Sequence, residues 1–209
     1  MNKLNIKSKN FPRVMLVNPP QKIYRHAWNS GLYFPVGLLY VAAVIRDKCN
    51  LNILDCMIDD FEIQKFDNYE LQGTPDEKIC KYIKDFNPDI VGISVPFTAQ
   101  SENAINVCNI VKDIDSNIKV VFGGPDPSIR FEYLLNNTAV DYCVVGEGEE
   151  TFPEIIDKYS ENLPIEGVEG VAYKKDDKVI KIDRAFIKEL DKLPFPAYDL
   201  INVKEYLKS

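Results

Sequence analysis

Between residues 13 and about 159, five short apolar runs alternate with longer stretches of helical periodicity. The runs cover residues 13–17, 51–56, 89–94, 118–122 and 141–145. Each is too short for a buried helix, and continuous apolar character suits a strand covered on both faces. The first is stopped by Asn18-Pro19-Pro20. The intervening segments read as helices. One runs from Pro35 to about Asp47, with Ala42 and Ala43 allowing close packing. A second opens at Thr74-Pro75-Asp76-Glu77, with threonine as cap, proline at the first helical position and an apolar face of Ile79, Ile83 and Phe86. A third covers residues 99–113, and a fourth starts at Pro127 with Asp126 as its cap. A fifth opens at a capping box, Thr151-Phe152-Pro153-Glu154, and runs to about Tyr159. Residues 57–73 are polar, aromatic and irregular, and read as an insertion. Strands separated by helices imply an α/β fold. The expected form is an open, mostly parallel five-stranded sheet in the flavodoxin-like order 2-1-3-4-5, with helices on both faces.

The character changes after Leu163. Residues 170–173 and 178–182 flank Lys174-Lys175-Asp176-Asp177 and read as a β-hairpin. Leu193-Pro194-Phe195-Pro196-Ala197 then reads as an extended linker or docking strap. The expected organisation is a ligand-binding domain over residues 1–162 and a hairpin plus linker over residues 163–209.

An apolar fraction of 45% is enough for a full core in a chain of this length. The net charge is −7, and lysine and arginine are interleaved with aspartate and glutamate, so there is no basic face for nucleic acid. No apolar run approaches membrane-spanning length, and residues 1–10 lack an apolar signal core. A soluble, cytoplasmic protein with neither nucleic acid nor membrane as partner is expected. Cys49, Cys56, Cys80, Cys108 and Cys143 are odd in number, widely spaced and mostly in apolar surroundings. They suit reduced core thiols better than zinc or iron–sulfur ligation.

In open α/β sheets, ligands bind beyond the carboxyl ends of the strands. Four of those ends carry unusual residues: Asn18-Pro19-Pro20, Ser94-Val95-Pro96-Phe97-Thr98, Gly123-Gly124-Pro125-Asp126 and Gly146-Glu147-Gly148-Glu149. Glycine there lets backbone approach a ligand, and small hydroxyl side chains offer short donors and acceptors. Each piece has a plain alternative. Gly123-Gly124 suits any tight strand-to-helix turn, Ser94 a local cap, and Glu147 and Glu149 a helix start exposed to solvent. The conjunction on one sheet edge points to a ligand site. No phosphate-cradle or dinucleotide glycine motif is present. The single histidine, His26, provides no Ser–His–Asp arrangement. Asp55, Asp59 and Asp60 read as a solvated acidic face.

These segments, in this order, resemble the cobalamin-binding domain of cobalamin-dependent radical SAM enzymes. The matching stretches are residues 17–20 (Val-Asn-Pro-Pro), 35–43 (from Pro35, with Gly37 and Leu38), 88–94, 120–125, 144–149 and 193–200. The resemblance implies a Rossmann-like fold with cobalamin at the carboxyl edge of the sheet. It implies that residues 94–98 and 123–126 flank the nucleotide tail, with the helix from Pro35 and the loop after Asn18 near the corrin. In the family a domain bearing C-x-x-x-C-x-x-C follows the strap. Iron–sulfur cluster and SAM are therefore expected in a separate radical SAM domain, a partner in cis or in trans, and not in these residues. Some members use the cobalt-bound methyl group for methyl transfer. The Asp-x-His-x-x-Gly motif of another cobalamin class is absent: Pro20 stands at the histidine position and Ile23 at the glycine position. His26 reads as a loop histidine and only a weak candidate for a cobalt ligand, so no protein metal ligand is expected. Two other readings stay open: a scaffold or substrate-recruiting module that has kept the fold and lost the cofactor, and a phosphate- or nucleotide-binding α/β enzyme.

Overall fold

In the computed structural model, described over residues 11–24 and 32–208, each of the five apolar runs is a strand of one sheet. The elements in chain order are β1 (Arg13–Asn18), β2 (Gln21–Tyr24), α1 (Val36–Ile45), β3 (Asn50–Asp55), β4 (Glu62–Lys65), β5 (Tyr69–Gly73), α2 (Asp76–Phe86), β6 (Ile90–Ser94), α3 (Ser101–Ile114), β7 (Lys119–Gly123), α4 (Pro125–Asn137), β8 (Tyr142–Val144), α5 (Gly148–Ser160), β9 (Val171–Lys175), β10 (Lys178–Lys181) and the single turn α6 (Val203–Tyr206). β1 lies between β3 and β6, with β7 and β8 following, all parallel. This is the expected 2-1-3-4-5 order. The sheet then continues antiparallel through β9 and β10 to seven strands. The hairpin thus extends the main sheet by two strands. Its two turn residues, Asp176 and Asp177, both have positive φ (49° and 58°), the backbone of a type I′ hairpin turn.

The pleat sorts side chains into two cores. From β1, Met15 and Val17 join Val91 and Ile93 of β6 and Val120 and Phe122 of β7 beneath α2, α3 and α4. Val14 and Leu16 face the other way, where Leu39, Ala42 and Ile45 of α1 pack with Phe152, Ile155 and Ile156 of α5. Gly92 sits mid-strand on this second face. A Cβ there would lie 2.8 Å from Leu16 and 2.9 Å from the Phe152 ring, so the missing side chain is what seats Phe152 against the sheet.

Several local expectations are corrected. Residues 57–73 are not irregular throughout: β4 and β5 form a hairpin whose second strand pairs antiparallel with β2. The alternation Tyr69-Glu70-Leu71-Gln72 was the available signal, but β2 is remote in sequence and the strands are mostly polar. Thr74 does not cap α2. Its hydroxyl donates to the carbonyls of Cys56 and Asp59, tying the insertion back to β3, and Pro75 occupies the cap position. α4 starts two residues before Pro127, at Pro125 with Gly124 as its cap, and Asp126 lies inside the first turn. α5 starts at Gly148, upstream of Thr151, whose hydroxyl donates to Glu169 at 3.2 Å. In all three cases the hydroxyl or carboxylate satisfies a distant loop instead of its own helix end, a competition that local spacing does not register.

The strap returns along α1. Ala197 N–H donates to Leu39 O at 3.1 Å, and Arg46 pairs with Asp199 at 2.6 Å. No helix among the described residues is long and apolar enough to cross a membrane.

Candidate functional site

The direction of winding reverses at β1: the chain crosses first to β3 on one side and then to β6 on the other. At this switch point the carboxyl ends of β1 and β6 leave a crevice, the usual ligand position in such sheets. A cavity of ≈ 490 Å³ occupies it, extended by the ends of β7 and β8 and walled by the starts of α1, α4 and α5. Its volume is within the range of small-molecule sites.

Of the residues expected at the site, Asn18, Pro35, Gly37, Leu38, Ser94, Pro96, Gly123, Gly124, Pro125, Gly146, Glu147, Gly148 and Glu149 line this cavity. Pro19, Pro20, Val95, Thr98 and Asp126 do not. Pro19 and Pro20 are buried, Pro20 beneath Gly73, where a Cβ would come within 2.9 Å of it. Val95 packs into the core on the far face of the sheet. Thr98 and Asp126 act behind the wall: the Thr98 hydroxyl donates to Asp126 Oδ1 at 2.6 Å, and Arg130 reaches the same oxygen at 3.3 Å. His26 lies outside the described residues.

The loops that frame the cavity are stitched together by backbone and hydroxyl groups. Val95 N–H donates to Gly123 O at 2.8 Å, and Ser128 Oγ donates to Gly124 O at 2.9 Å while accepting from Gly146 N–H at 3.0 Å. Gly124 has φ of +118°, and a Cβ on it would lie 2.8 Å from Val95 O, so this glycine is dictated by the close approach of two loops. At Gly37, Gly123 and Gly146 a Cβ meets nothing within 4 Å, although Gly146, with φ of +90°, is also held to glycine by its backbone. Their absent side chains open space in the cavity wall itself.

The cavity wall is chiefly apolar, with side-chain polarity from Asn18, Gln21, Ser94, Gln100, Tyr33, Glu147 and Glu149. Glu147 accepts a hydrogen bond from Ile187 N–H at 2.6 Å, which holds the segment after the hairpin against α5. Burial pushes the Glu149 carboxyl up, helped by the charge of Glu147, while backbone N–H groups at the start of α5 pull it down. Among the described lining residues there is no lysine, arginine, histidine, cysteine or methionine. Two of the three helix starts offer little to an anion: α4 opens with Pro125 and Pro127, which lack N–H groups, and α5 turns the N–H groups of Gly148 and Glu149 toward the Glu149 carboxyl. The four core cysteines Cys49, Cys56, Cys108 and Cys143 are buried and free, and burial is the main cause that raises the thiols of Cys49, Cys108 and Cys143 to about 12, too high for a reactive thiolate. No group of three metal-ligating side chains occurs among the described residues.

Sequence reasoning placed Phe97 in a loop beside the ligand but missed Tyr33 and Phe34, which complete an aromatic rim. Tyr33 and Phe97 line the cavity while remaining 68% and 65% exposed, and Phe34 lines it beside them. The signal was present, since paired aromatics stand immediately before the α1 start. Also unforeseen is Asp55. It is 3% exposed and no part of a solvated acidic face: Asn18 Nδ2 donates to its Oδ1 at 2.8 Å, and the Tyr206 hydroxyl donates to its Oδ2. Burial pushes its carboxyl up, against the pull of these donors.

Comparison with known proteins adds the chemistry of the ligand. An uncharacterized methyltransferase of Pyrococcus horikoshii is 33% identical over 198 residues, and cytidylyl-2-hydroxyethylphosphonate methyltransferase of Streptomyces wedmorensis is 27% identical over 228 residues. The matches cover 93% and 96% of this chain but only 40% and 42% of those proteins' lengths. Among solved structures, the cobalamin-dependent S-adenosylmethionine radical enzyme OxsB with aqua-cobalamin bound superposes with a TM-score of 0.74 at 19% identity, covering 96% of this chain and 26% of that one. The radical S-adenosylmethionine methyltransferase TsrM from Kitasatospora setae, with cobalamin and a 4Fe-4S cluster bound, gives 0.64 at 19% identity, covering 89% and 31%. At that identity the likeness is one of fold, a Rossmann-like α/β sheet. A family model, the B12 binding domain, matches residues 30–156, a span that holds α1, the starts of α4 and α5 and three of the four strand ends framing the cavity, and the chain belongs to that family.

Proposed function

We propose that this domain binds cobalamin in the cavity at the β1/β6 switch point and presents it to a radical SAM catalytic domain, in the same polypeptide or in a separate chain. The observation that carries this reading is the cavity itself. Three lining glycines, Gly37, Gly123 and Gly146, leave its wall open, and its polar groups are neutral amides and hydroxyls apart from two carboxylates and no described cation. That donor set suits a ligand rich in carboxamides and an aromatic base better than a free phosphate, which weighs against the nucleotide-enzyme alternative. At ≈ 490 Å³ the cavity has room for one arm of so large a molecule, such as its nucleotide base, and the corrin is assigned to the mouth near α1 and the exposed aromatic rim. The proposed contacts are Asn18, Pro35, Gly37, Leu38, Ser94, Pro96, Gly123, Gly124, Pro125, Gly146, Glu147, Gly148 and Glu149, with Thr98 and Asp126 holding two of the loops in place.

Bound cobalamin supplies the organometallic chemistry, including methyl transfer where a relative's name records that activity. The chain binds it, orients it and excludes water from the buried arm. SAM and iron–sulfur chemistry belong, on this reading, to the radical SAM domain. Equilibrium dialysis of the purified protein against hydroxocobalamin tests the proposal: retention near one equivalent at micromolar concentration is expected. Absence of retention by a folded protein would overturn it and favour the scaffold reading.

A further inference from the structure

The cavity is connected to the far end of the described chain by a continuous set of contacts. Asn18 and Phe34 both line it. Behind Asn18, its amide donates to Asp55, and the second carboxylate oxygen of Asp55 accepts from the Tyr206 hydroxyl. Behind Phe34, the ring stacks on Tyr206 with centroids 4.3 Å apart at 25°, and meets the edge of Tyr198 at 5.5 Å and 86°. Tyr206 is 5% exposed, so one side chain of α6 is buried against both supports of the cavity rim. Neither Asp55 nor Tyr206 lines the cavity.

We propose that Tyr206 is a positioning residue of the cofactor site, holding Asn18 and Phe34 in place, so that docking of the strap and occupancy of the cavity form one coupled equilibrium. The proposal rests on the cobalamin reading for the identity of the ligand. Asp55 makes the coupling directional. A buried carboxylate only accepts hydrogen bonds, and an oxygen deprived of its donor recruits the nearest alternative. The Asn18 amide donates to this same carboxylate and also hydrogen-bonds with the Tyr206 side chain, so loss of the Tyr206 hydroxyl is expected to shift Asn18 from its place in the wall. Loss of the Tyr206 ring also removes one of the two described partners of Phe34. The strap has separate anchors on α1, the Ala197–Leu39 hydrogen bond and the Arg46–Asp199 pair, so changing Tyr206 disturbs the rim without releasing the whole segment. Coupling of this kind is reciprocal: ligand that orders the rim must also favour the docked strap.

The test uses the full chain and its Tyr206→Phe and Tyr206→Ala variants, with hydroxocobalamin as the probe. Affinity is measured by dialysis, and amide hydrogen exchange is followed with and without the probe. Tyr206→Ala is expected to weaken binding about tenfold or more, and Tyr206→Phe, which keeps the ring, by a smaller factor. In the ligand-free Tyr206→Ala protein, amides of residues 33–38 should exchange faster. In the unaltered protein, adding probe should slow exchange in residues 197–206. Unchanged affinity in both variants, or exchange in the strap that ignores the probe, would overturn the coupling. If Tyr206→Ala fails to fold, Tyr206→Phe carries the affinity comparison. If the unaltered protein retains no cobalamin, the functional reading fails, while exchange at the ligand-free rim still decides whether Tyr206 positions it.

Discussion

At the scale of single residues, the two adjacent glycines at the end of β7 were legible as special, but not for different reasons. Gly124 carries a left-handed φ under Val95 O, whereas Gly123 has an ordinary backbone and open space at its Cβ. Gly124→Val is therefore expected to destabilise the fold and says nothing about a ligand. Gly123→Val is the informative variant: it should melt within a few degrees of the unaltered protein and bind cobalamin at least about tenfold more weakly, a loss of about 1.4 kcal/mol. Normal binding by Gly123→Val would move the ligand away from this wall. Asp55 gives a second residue-scale expectation. Its folded-state carboxyl titrates above the ordinary value because of burial, as does that of neighbouring Asp59. The folded chain holds these protons more tightly than the unfolded one, so their contribution to stability is full below the ordinary carboxylate value and is lost as pH rises through the raised folded value. Thermal melts of Asp55→Asn between about pH 4 and pH 7 should show a shallower fall with rising pH than the unaltered protein. A steeper fall would mean that the donors Asn18 and Tyr206 outweigh burial at this site.

At the scale of elements, strand positions were readable because doubly covered parallel strands are apolar on both faces, a pattern clear in β1, β6 and β7 and weaker in the edge strand β3, where Asn50 and Asn52 are exposed. Helix starts were less readable. Thr74, Asp126 and Thr151 all have the residue types of caps, yet each is used to join two segments distant in sequence. The hairpin of β9 and β10 was foreseen as a hairpin, but its pairing with β8 depends on contacts no local window contains. What joins it to the body is visible at Gly170: φ is +79°, and a Cβ would lie 2.4 Å from the Thr151 hydroxyl. That hydroxyl in turn donates to Glu169 O, and Gly170 O accepts from Val145 N–H at 2.8 Å. Gly170→Ala should therefore cost about 1–3 kcal/mol, from backbone strain and overpacking together. The measurement is a denaturant melt combined with amide exchange. Faster exchange confined to residues 171–181, with the midpoint lowered, is the expected pattern. An unchanged midpoint would show that the junction relaxes freely.

At the scale of the whole molecule, winding order places the unusual strand ends on one edge, and that placement was deducible because right-handed crossovers leave few topologies for five parallel strands. The support behind the rim was not deducible, since Tyr206 reaches Phe34 and Asp55 only after the strap has folded back along α1. The same view bears on how cobalt would be held. Imidazole, thiolate and thioether are the side chains suited to a soft or borderline metal, and none occurs among the described residues of the cavity wall. His26 is the only histidine in the chain and lies outside those residues, with no acidic neighbour in sequence to fix its ring, since Arg25 and Ala27 flank it. The domain is accordingly expected to bind cobalamin with no protein nitrogen on cobalt and with the nucleotide base displaced into the cavity. Electron paramagnetic resonance of the cob(II)alamin complex, recorded for the unaltered protein and for His26→Ala, tests this. Cobalt lines without nitrogen splitting in both proteins, at equal affinity, are the expected result. Splitting that disappears in His26→Ala would make His26 the ligand, and splitting that persists in both would mean that the cofactor keeps its own base on cobalt and that the cavity holds some other part of it.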